Sequence, residues 1–274
     1  MKSTILRKTI FYLMLTLAAL IFLYPFAWML ATSVRPEIEA TRFDLGSTGY
    51  TLHNYQLMTE KIPILRALLN SALVSGVSTL TVLVLCSMTG YALSKLKFPG
   101  RGLIFSVILF TMMIPFQITL IPLYALMVKL GWTDTYAALI VPFMMSPFAI
   151  LLFKQFFQQV PNDLIDAARI DGLGEMGILF RVFWPLSRPA LITVGIVHFM
   201  SMWNEVLWPI IVVRQRDIMT MPQMVALFEV GGQAENLVGV KLAAASAMTI
   251  PIVIVYLFLQ RYFIASMATS GLKG

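Results

Sequence analysis

Long apolar runs alternate with short polar breaks along this chain. Charge-free stretches cover 9–34, 67–94, 102–128, 135–153 and 242–260, and 190–213 is broken only by Glu205. About 20 helical residues cross the ~30 Å hydrocarbon core of a bilayer, so the pattern predicts an all-α membrane protein with six transmembrane helices. Lys2, Arg7 and Lys8 precede the first run, which is too long for a signal-peptide core and lacks a small-x-small cleavage site; it reads as a retained anchor helix. The break KLGWTD places Gly131 and Asp134 where a tight reversal leads into a new helix. Pro25, Pro115, Pro122, Pro142, Pro147, Pro209 and Pro251 lie in or near the runs, and each removes a backbone donor, so bent helices packed around a path are expected. The organisation that follows is a cytoplasmic tail with helix one (1–34), an extracytoplasmic connecting segment (35–66), a transmembrane domain of helices two to six (67–265) and a cytoplasmic tail (266–274).

Composition agrees with a bilayer as solvent: 59% of residues are hydrophobic, 12% are charged and the mean hydropathy is +0.83. The net charge of +7 sits at the ends of apolar runs and not in a basic patch with aromatics, which argues for membrane topology and against nucleic acid. With the N-terminus in the cytoplasm, twelve of the twenty Lys and Arg fall inside, and both termini face the cytoplasm. Cys86 is the lone cysteine, so neither an intrachain disulfide nor a cysteine metal cluster is available. His53 and His198 fall in different compartments, which leaves no metal site.

One polar stretch stands apart, 161–189, PNDLIDAARIDGLGEMGILFRVFWPLSRP, with four of the chain's thirteen acids and three arginines. Asn162 or Asp163 is suited to cap a helix with Asp163 and Asp166 at its positive end, and Gly172 to stop it. A second helical piece, from about Glu175 to Trp184, is expected to break at Pro185. A helix, a glycine turn and a second helix between two spans form an object that docks into a partner in water, with Ala167 and Ala168 small enough to let another backbone approach.

The same residues resemble the cytoplasmic loop of binding-protein-dependent ABC importer permeases, Glu-Ala-Ala, three residues, Gly, nine residues, Ile-x-Leu-Pro. Here Asp166, Ala167 and Ala168 are followed after three residues by Gly172, and nine later by Val182, Phe183, Trp184 and Pro185. Asp replaces Glu, Val replaces Ile and Trp replaces Leu, while the spacing is intact. NSALVSG at Asn70, the run MIPFQITLIPLYALMVKLGWTDTYAALIVP from Met113, PLSRPAL at Pro185, WNEVLWP at Trp203 and GLKG at Gly271 resemble the carbohydrate-uptake branch, of the maltose-transporter type of smaller permease. The resemblance implies a type I importer core with a cytoplasmic coupling helix, in which Asp166, Ala167, Ala168, Asp171, Gly172 and Pro185 serve ATPase coupling. It implies as partners a second homologous permease, two ATPase subunits that carry ATP and Mg, and an extracytoplasmic solute-binding protein, in a bacterial or archaeal cell (inner) membrane. No cofactor and no catalytic residue is expected on this chain, which has no Gly-x-x-x-x-Gly-Lys-Ser/Thr loop. The solute would be a sugar or sugar-like molecule, or alternatively glycerol phosphate or another polar solute.

Polar residues within the spans are the candidates for a substrate path or gate. Glu205 costs about 3 kcal/mol at a bilayer centre unless it meets water or a partner, and Trp203, Asn204 and Glu205 either line the path or close a helix end. Gln117 and Asn70 are explained equally by substrate contact and by interhelical hydrogen bonds. A secondary transporter would need coupling carboxylates near the midplane, where only Glu205 qualifies. An intramembrane enzyme would need a nucleophile with its base, and no such set is present.

Overall fold

The computed structural model describes residues 2–230 and 237–270, with side chains for 5–229 and 237–257. Its helices, in chain order, are α1 (Lys2–Ser33), α2 (His53–Lys61), α3 (Ile64–Lys95), α4 (Arg101–Thr111), α5 (Phe116–Leu130), α6 (Tyr136–Ile140), α7 (Pro147–Gln158), α8 (Asp163–Ile170), α9 (Glu175–Ile178), α10 (Trp184–Leu186), α11 (Arg188–Trp203), α12 (Leu207–Val212), α13 (Met221–Val230) and α14 (Val238–Ser270). Among the described residues there is no strand. Three helical stretches are long and apolar enough to cross a membrane unaided, Ile5–Ser33, Ile64–Lys95 and Val238–Leu257. Three bent pairs raise the number to six: Arg101–Thr111 with Phe116–Leu130, Tyr136–Phe143 with Pro147–Gln158, and Glu175–Leu186 with Arg188–Trp203.

The run at 102–128 is therefore not one helix, because the chain bends by 100° between α4 and α5. Pro115 takes the N-cap position of α5, where its missing N–H costs nothing. Pro147 opens α7 after a 41° bend in the same way. The run at 190–213 is also interrupted: α11 stops at Trp203, and the restart at Leu207 puts Pro209 in the first turn of α12, where backbone donors are orphaned in any case. Pro25, Pro122 and Pro251 stay inside continuous helices. The KLGWTD reversal closes as expected. Gly131 is left-handed (φ 65°), Trp132 N–H donates to the Met127 carbonyl at 2.9 Å, and the Thr135 hydroxyl caps α6 by accepting from Ala138 N–H.

The chain separates into two compact units. One comprises residues 1–65 and 224–253. Its connecting segment, uninformative as sequence, is tightly tied. Asn54 Nδ2 donates to the carbonyls of Ser33 (3.0 Å) and Arg35 (2.7 Å), and the buried Arg35 donates to the Asp44 carbonyl at 2.8 Å. Glu37 accepts from Gly239 N–H at 3.1 Å. Trp28 stacks on Phe43 with ring centroids 5.6 Å apart. Glu39 is enclosed by the hydroxyls of Thr48 and Ser47 and by Thr48 N–H, with Arg42 nearby; these hold its carboxyl at about 2, well below the ordinary 4.5.

The other unit comprises 66–223 and 254–274. Its core joins α3, α7, α9 and the start of α11 through Val82, Cys86, Tyr91, Phe153, Phe157, Ile178, Phe183 and Val194. Phe153 stacks on Phe157 (5.6 Å), and Phe183 meets both Phe157 (5.2 Å) and Tyr91 (5.0 Å) edge to face. α3 and α7 approach closely enough that a Cβ on Gly90 would lie 2.7 Å from Phe153 Cβ and 3.0 Å from the Lys154 backbone nitrogen. Around Gly76, on the same helix, nothing lies within 4 Å of that position.

Two outcomes are expected. Gly90→Ala should destabilise the protein by about 1–3 kcal/mol through overpacking, seen as a lower unfolding temperature in detergent, whereas Gly76→Ala should be nearly neutral. Since the folded-state carboxyl of Glu39 titrates below its unfolded value, its stabilisation is complete above about 4.5 and is lost as pH falls towards 2. Amide-exchange protection factors across 37–48, which remove the intrinsic pH dependence of exchange, should therefore stay high at pH 4 and fall near pH 2–3, while Glu39→Gln should lower them already at pH 7.

Candidate functional site

The polar stretch folds as helix, turn, helix, by local rules with one exception. α8 begins at Asp163, and Asn162 occupies its N-cap without a side-chain capping bond. The Asn162 amide oxygen is engaged elsewhere, accepting from Lys95 Nζ at 3.0 Å, while the same ammonium donates to the Val160 carbonyl at 2.5 Å. The end of α3 is thereby fastened to the chain just before α8. At the other end Gly172 N–H donates to the Arg169 carbonyl and Leu173 N–H to the Ala168 carbonyl, both at 3.0 Å, with Gly172 at φ 83°. This double closure satisfies orphan carbonyls and demands a left-handed residue, hence glycine.

Pro185 does not end the second piece. Residues Leu179–Phe183 form a π-turn in which Trp184 N–H reaches back to the Leu179 carbonyl, and the helix continues through Leu186. A proline lacks the donor that would meet the preceding turn, and a wider turn accommodates it. The chain breaks at Ser187 instead, with an 87° bend into α11.

Three charged residues tie the turn to the bundle. Arg169 donates to Glu175 Oε1 through Nη2 (2.8 Å) and Nε (3.1 Å), and lies 3.6 Å from Asp166. The other oxygen of Glu175 accepts from the Tyr91 hydroxyl at 2.5 Å. Glu175 thus joins Tyr91 on α3 to Arg169 on α8 through its two carboxylate oxygens. The Arg169–Glu175 pair is about half exposed, so solvent screens most of its attraction; its importance is geometric. Trp184 Nε1 adds a bond to the Ser87 hydroxyl at 3.0 Å.

Exposure divides the face of α8. Ile165 and Ala168 are buried in the chain's own core, Ala168 at 6%. Asp163, Leu164, Asp166, Ala167, Ile170 and Asp171 face outward, and Ile170 stands 87% exposed at the tip. The outward surface thus combines Ala167 with the apolar Leu164 and Ile170, not with Ala168. Tyr91, Lys95 and Glu175 were not singled out in the sequence. The available signal was weak: a tyrosine and a lysine at the end of an apolar run, and an acid three residues after a glycine.

The candidates for a path lie elsewhere, and most are internally satisfied. Asn70 donates to the carbonyls of Asp217 (3.0 Å) and Met219 (2.9 Å) and accepts from the Tyr136 hydroxyl at 2.7 Å. Trp203 is buried, stacked on Phe199 at 5.7 Å. Asn204 donates to the Met200 carbonyl at 2.8 Å, and Glu205 accepts from Trp208 N–H at 3.1 Å, closing the start of α12. Gln117 is exposed on the first turn of α5. The geometry assembles Trp203, Asn204 and Glu205 at one helix break and leaves Asn70 and Gln117 apart from them.

Residues 83–269 match the profile of the family described as binding-protein-dependent transport system inner membrane component. The chain belongs to that family. The match starts within α3 and ends within α14, so it takes in the aromatic core, the turn at Gly172 and both helices around it. The arabinooligosaccharide transport system permease protein AraQ of Halalkalibacterium halodurans is 38% identical over 263 residues, with 93% of each chain covered. The trehalose/maltose transport system permease protein MalG of Thermococcus litoralis is 32% identical over 279 residues, covering both chains fully. A crystal structure of a bacterial ABC transporter involved in the import of the acidic polysaccharide alginate superimposes with a TM-score of 0.81 at 25% identity, over 96% of this permease and 98% of that chain.

In this permease the tie between Tyr91 and Glu175 should be measurable by itself. Tyr91→Phe keeps the aromatic packing and removes one hydrogen bond to a charged group, a contribution of about 1.5–3 kcal/mol. Amide exchange over 163–175 should speed up by about tenfold, with exchange in the membrane-embedded part of α3 unchanged.

Proposed function

We propose that this permease is the smaller transmembrane subunit of an ATP-driven importer that moves a sugar or sugar-like solute into the cytoplasm by alternating access. The observation that carries the reading is the outward face of α8 at a turn fixed by Gly172 and wired to α3 through Glu175 and Tyr91. An apolar tip on a short, rigid, otherwise polar segment is a peg for a socket. A push on it reaches α3 through Tyr91 and Lys95, and reaches α11 through the continuous piece from Glu175 to Leu186 and its 87° corner. The socket belongs to an ATPase subunit, which carries ATP and Mg; Leu164, Ala167 and Ile170 contact it, Asp166 and Asp171 flank the contact, and Gly172 sets the turn. Two such ATPases, a second homologous permease and an extracytoplasmic solute-binding protein complete the assembly. Both termini and the 161–189 stretch face the cytoplasm, and the tied segment 35–66 faces outward. Carbohydrate is favoured as the cargo class by the relatives named above, which are permeases of arabinooligosaccharide and trehalose/maltose systems.

Gly172 provides the test. Nothing crowds a Cβ at this position, so a substitution acts through the left-handed backbone alone, at a cost of about 1–2 kcal/mol for an L-residue and more for a β-branched one. Gly172→Val should leave the amount of protein in the membrane unchanged, weaken co-purification with the ATPase subunit and abolish uptake, with Gly172→Ala intermediate. Normal ATP-dependent uptake by Gly172→Val would sink the coupling role, and uptake that persists without any ATPase would sink the importer reading.

A further inference from the structure

α11 has two different sides within the unit to which it belongs. One borders an apolar cavity of about 330 Å³, with Leu83, Ile192, Gly195 and Phe199 among its walls. The other borders a smaller cavity of about 210 Å³ lined by Ser146, Phe148, Val194, Val197, His198 and Ser201. This second cavity brings polar groups together inside a span. His198 lies ten residues after Arg188, the first residue of α11, or about 15 Å along the helix at 1.5 Å per residue; with 161–189 in the cytoplasm, as proposed above, and the span entered at Arg188, that is mid-depth in a ~30 Å hydrocarbon core. Ser201 follows at i+3 and Asn204 after a further three, both exposed. A stripe of histidine, serine and asparagine at that depth is disfavoured against acyl chains and is retained where it meets water or a polar solute. The opposite wall is the gap between Val141–Phe143 and α7, a helix break that carries Ser146. Broken helices at membrane depth are tolerated where they line a cavity.

We propose that this cavity is a carbohydrate subsite on the translocation path, in which His198 and Ser201 hydrogen-bond the hydroxyls of one sugar ring lodged against Phe148 and Val197. The imidazole is oriented for the task. Its Nε2 lies 2.9 Å from the Ser78 hydroxyl, which in turn lies 3.4 Å from the Phe143 carbonyl. If Ser78 donates to Phe143, it accepts from Nε2–H and leaves Nδ1 as an acceptor; if it donates to Nε2, Nδ1–H is a donor. A sugar hydroxyl serves as partner in either tautomer, because it donates and accepts. At 210 Å³ the cavity falls below the ~300–1,000 Å³ of sites that enclose a whole ligand, so it takes one ring while the rest of an oligosaccharide extends along the path. None of the sequence candidates Asn70, Gln117, Trp203, Asn204 and Glu205 lines this cavity, whose polar side chains are Ser146, His198 and Ser201.

The proposal rests on the reading of carbohydrate as cargo, and the experiment separates the two. The full importer, with its ATPases and binding protein, is reconstituted in proteoliposomes and assayed with radiolabelled pentose, hexose and uronate oligosaccharides, alongside ATP hydrolysis stimulated by the loaded binding protein. The expected result is that His198→Leu and Ser201→Ala each lower uptake of the accepted oligosaccharide about tenfold, with stimulated hydrolysis within about twofold of wild type. His198→Gln, which keeps a donor and an acceptor, should retain most of the uptake. Ser201 is exposed, so its variant is not expected to disturb folding. Wild-type uptake with all three variants unaffected overturns the subsite and leaves the cargo reading standing. So does an equal loss in hydrolysis and uptake, which marks a structural role. Failure of the wild-type importer to take up any of these sugars overturns the cargo reading and the subsite with it.

Discussion

The close crossing of α3 and α7 at Gly90 is the constraint from which the rest of the larger unit follows. With no side chain at 90, Phe153 drops against the backbone of α3, and Phe157, Phe183 and Tyr91 complete a ring cluster around it. In hydrocarbon there is no hydrophobic drive between helices, so association depends on close packing and interhelical hydrogen bonds. This cluster supplies the first, and its edge supplies the second. The Tyr91 ring belongs to the core while its hydroxyl reaches Glu175 outside it.

That single tyrosine converts a surface loop into a component with a fixed position. Turns on the surface of a membrane protein are ordinarily mobile; this one is closed by Gly172, clamped by Arg169 and Glu175, and held at both flanks by Lys95 and Trp184. The Arg169–Glu175 ion pair is half exposed and weak alone. Together they restrict a short helix to one orientation relative to α3, which is what a transmission element requires. The energy stays in the aromatic core and the polar contacts set the direction.

The same division governs the interruptions in the spans. Each of Pro115, Pro147 and Pro209 stands in the first turn or at the N-cap of a helix, where its missing donor is harmless, and the bends of 100° and 41° follow from restarting the helix there. Polar side chains then close the exposed ends: Thr135 at α6, Ser146 at α7 and Glu205 at α12. An acid within an apolar run is suggestive of transport chemistry, yet here one Glu205 oxygen accepts from the amide of Trp208 and closes a helix start.

Periodicity and run length sufficed to establish an all-helical membrane protein, and the spacing from Asp166 through Gly172 to Pro185 the helix-turn-helix between two spans; the importer family came from the resemblance of these motifs to known permeases and not from their chemistry. The first two depend on local chemistry, namely burial length, caps and the left-handed requirement at 172, which neighbouring residues carry in full. What lay beyond the sequence was every relation between distant positions. Nothing around Asn162 reveals that Lys95 has claimed its side chain, nothing around Asn70 shows three partners waiting at Tyr136, Asp217 and Met219, and Ala168 looks the equal of Ala167 until the core takes one and leaves the other. A proline likewise announces lost bonding without saying whether the helix breaks, as at Pro115, widens, as before Pro185, or runs on, as at Pro122. Those outcomes depend on which carbonyls and cavities lie opposite, and only tertiary packing supplies them.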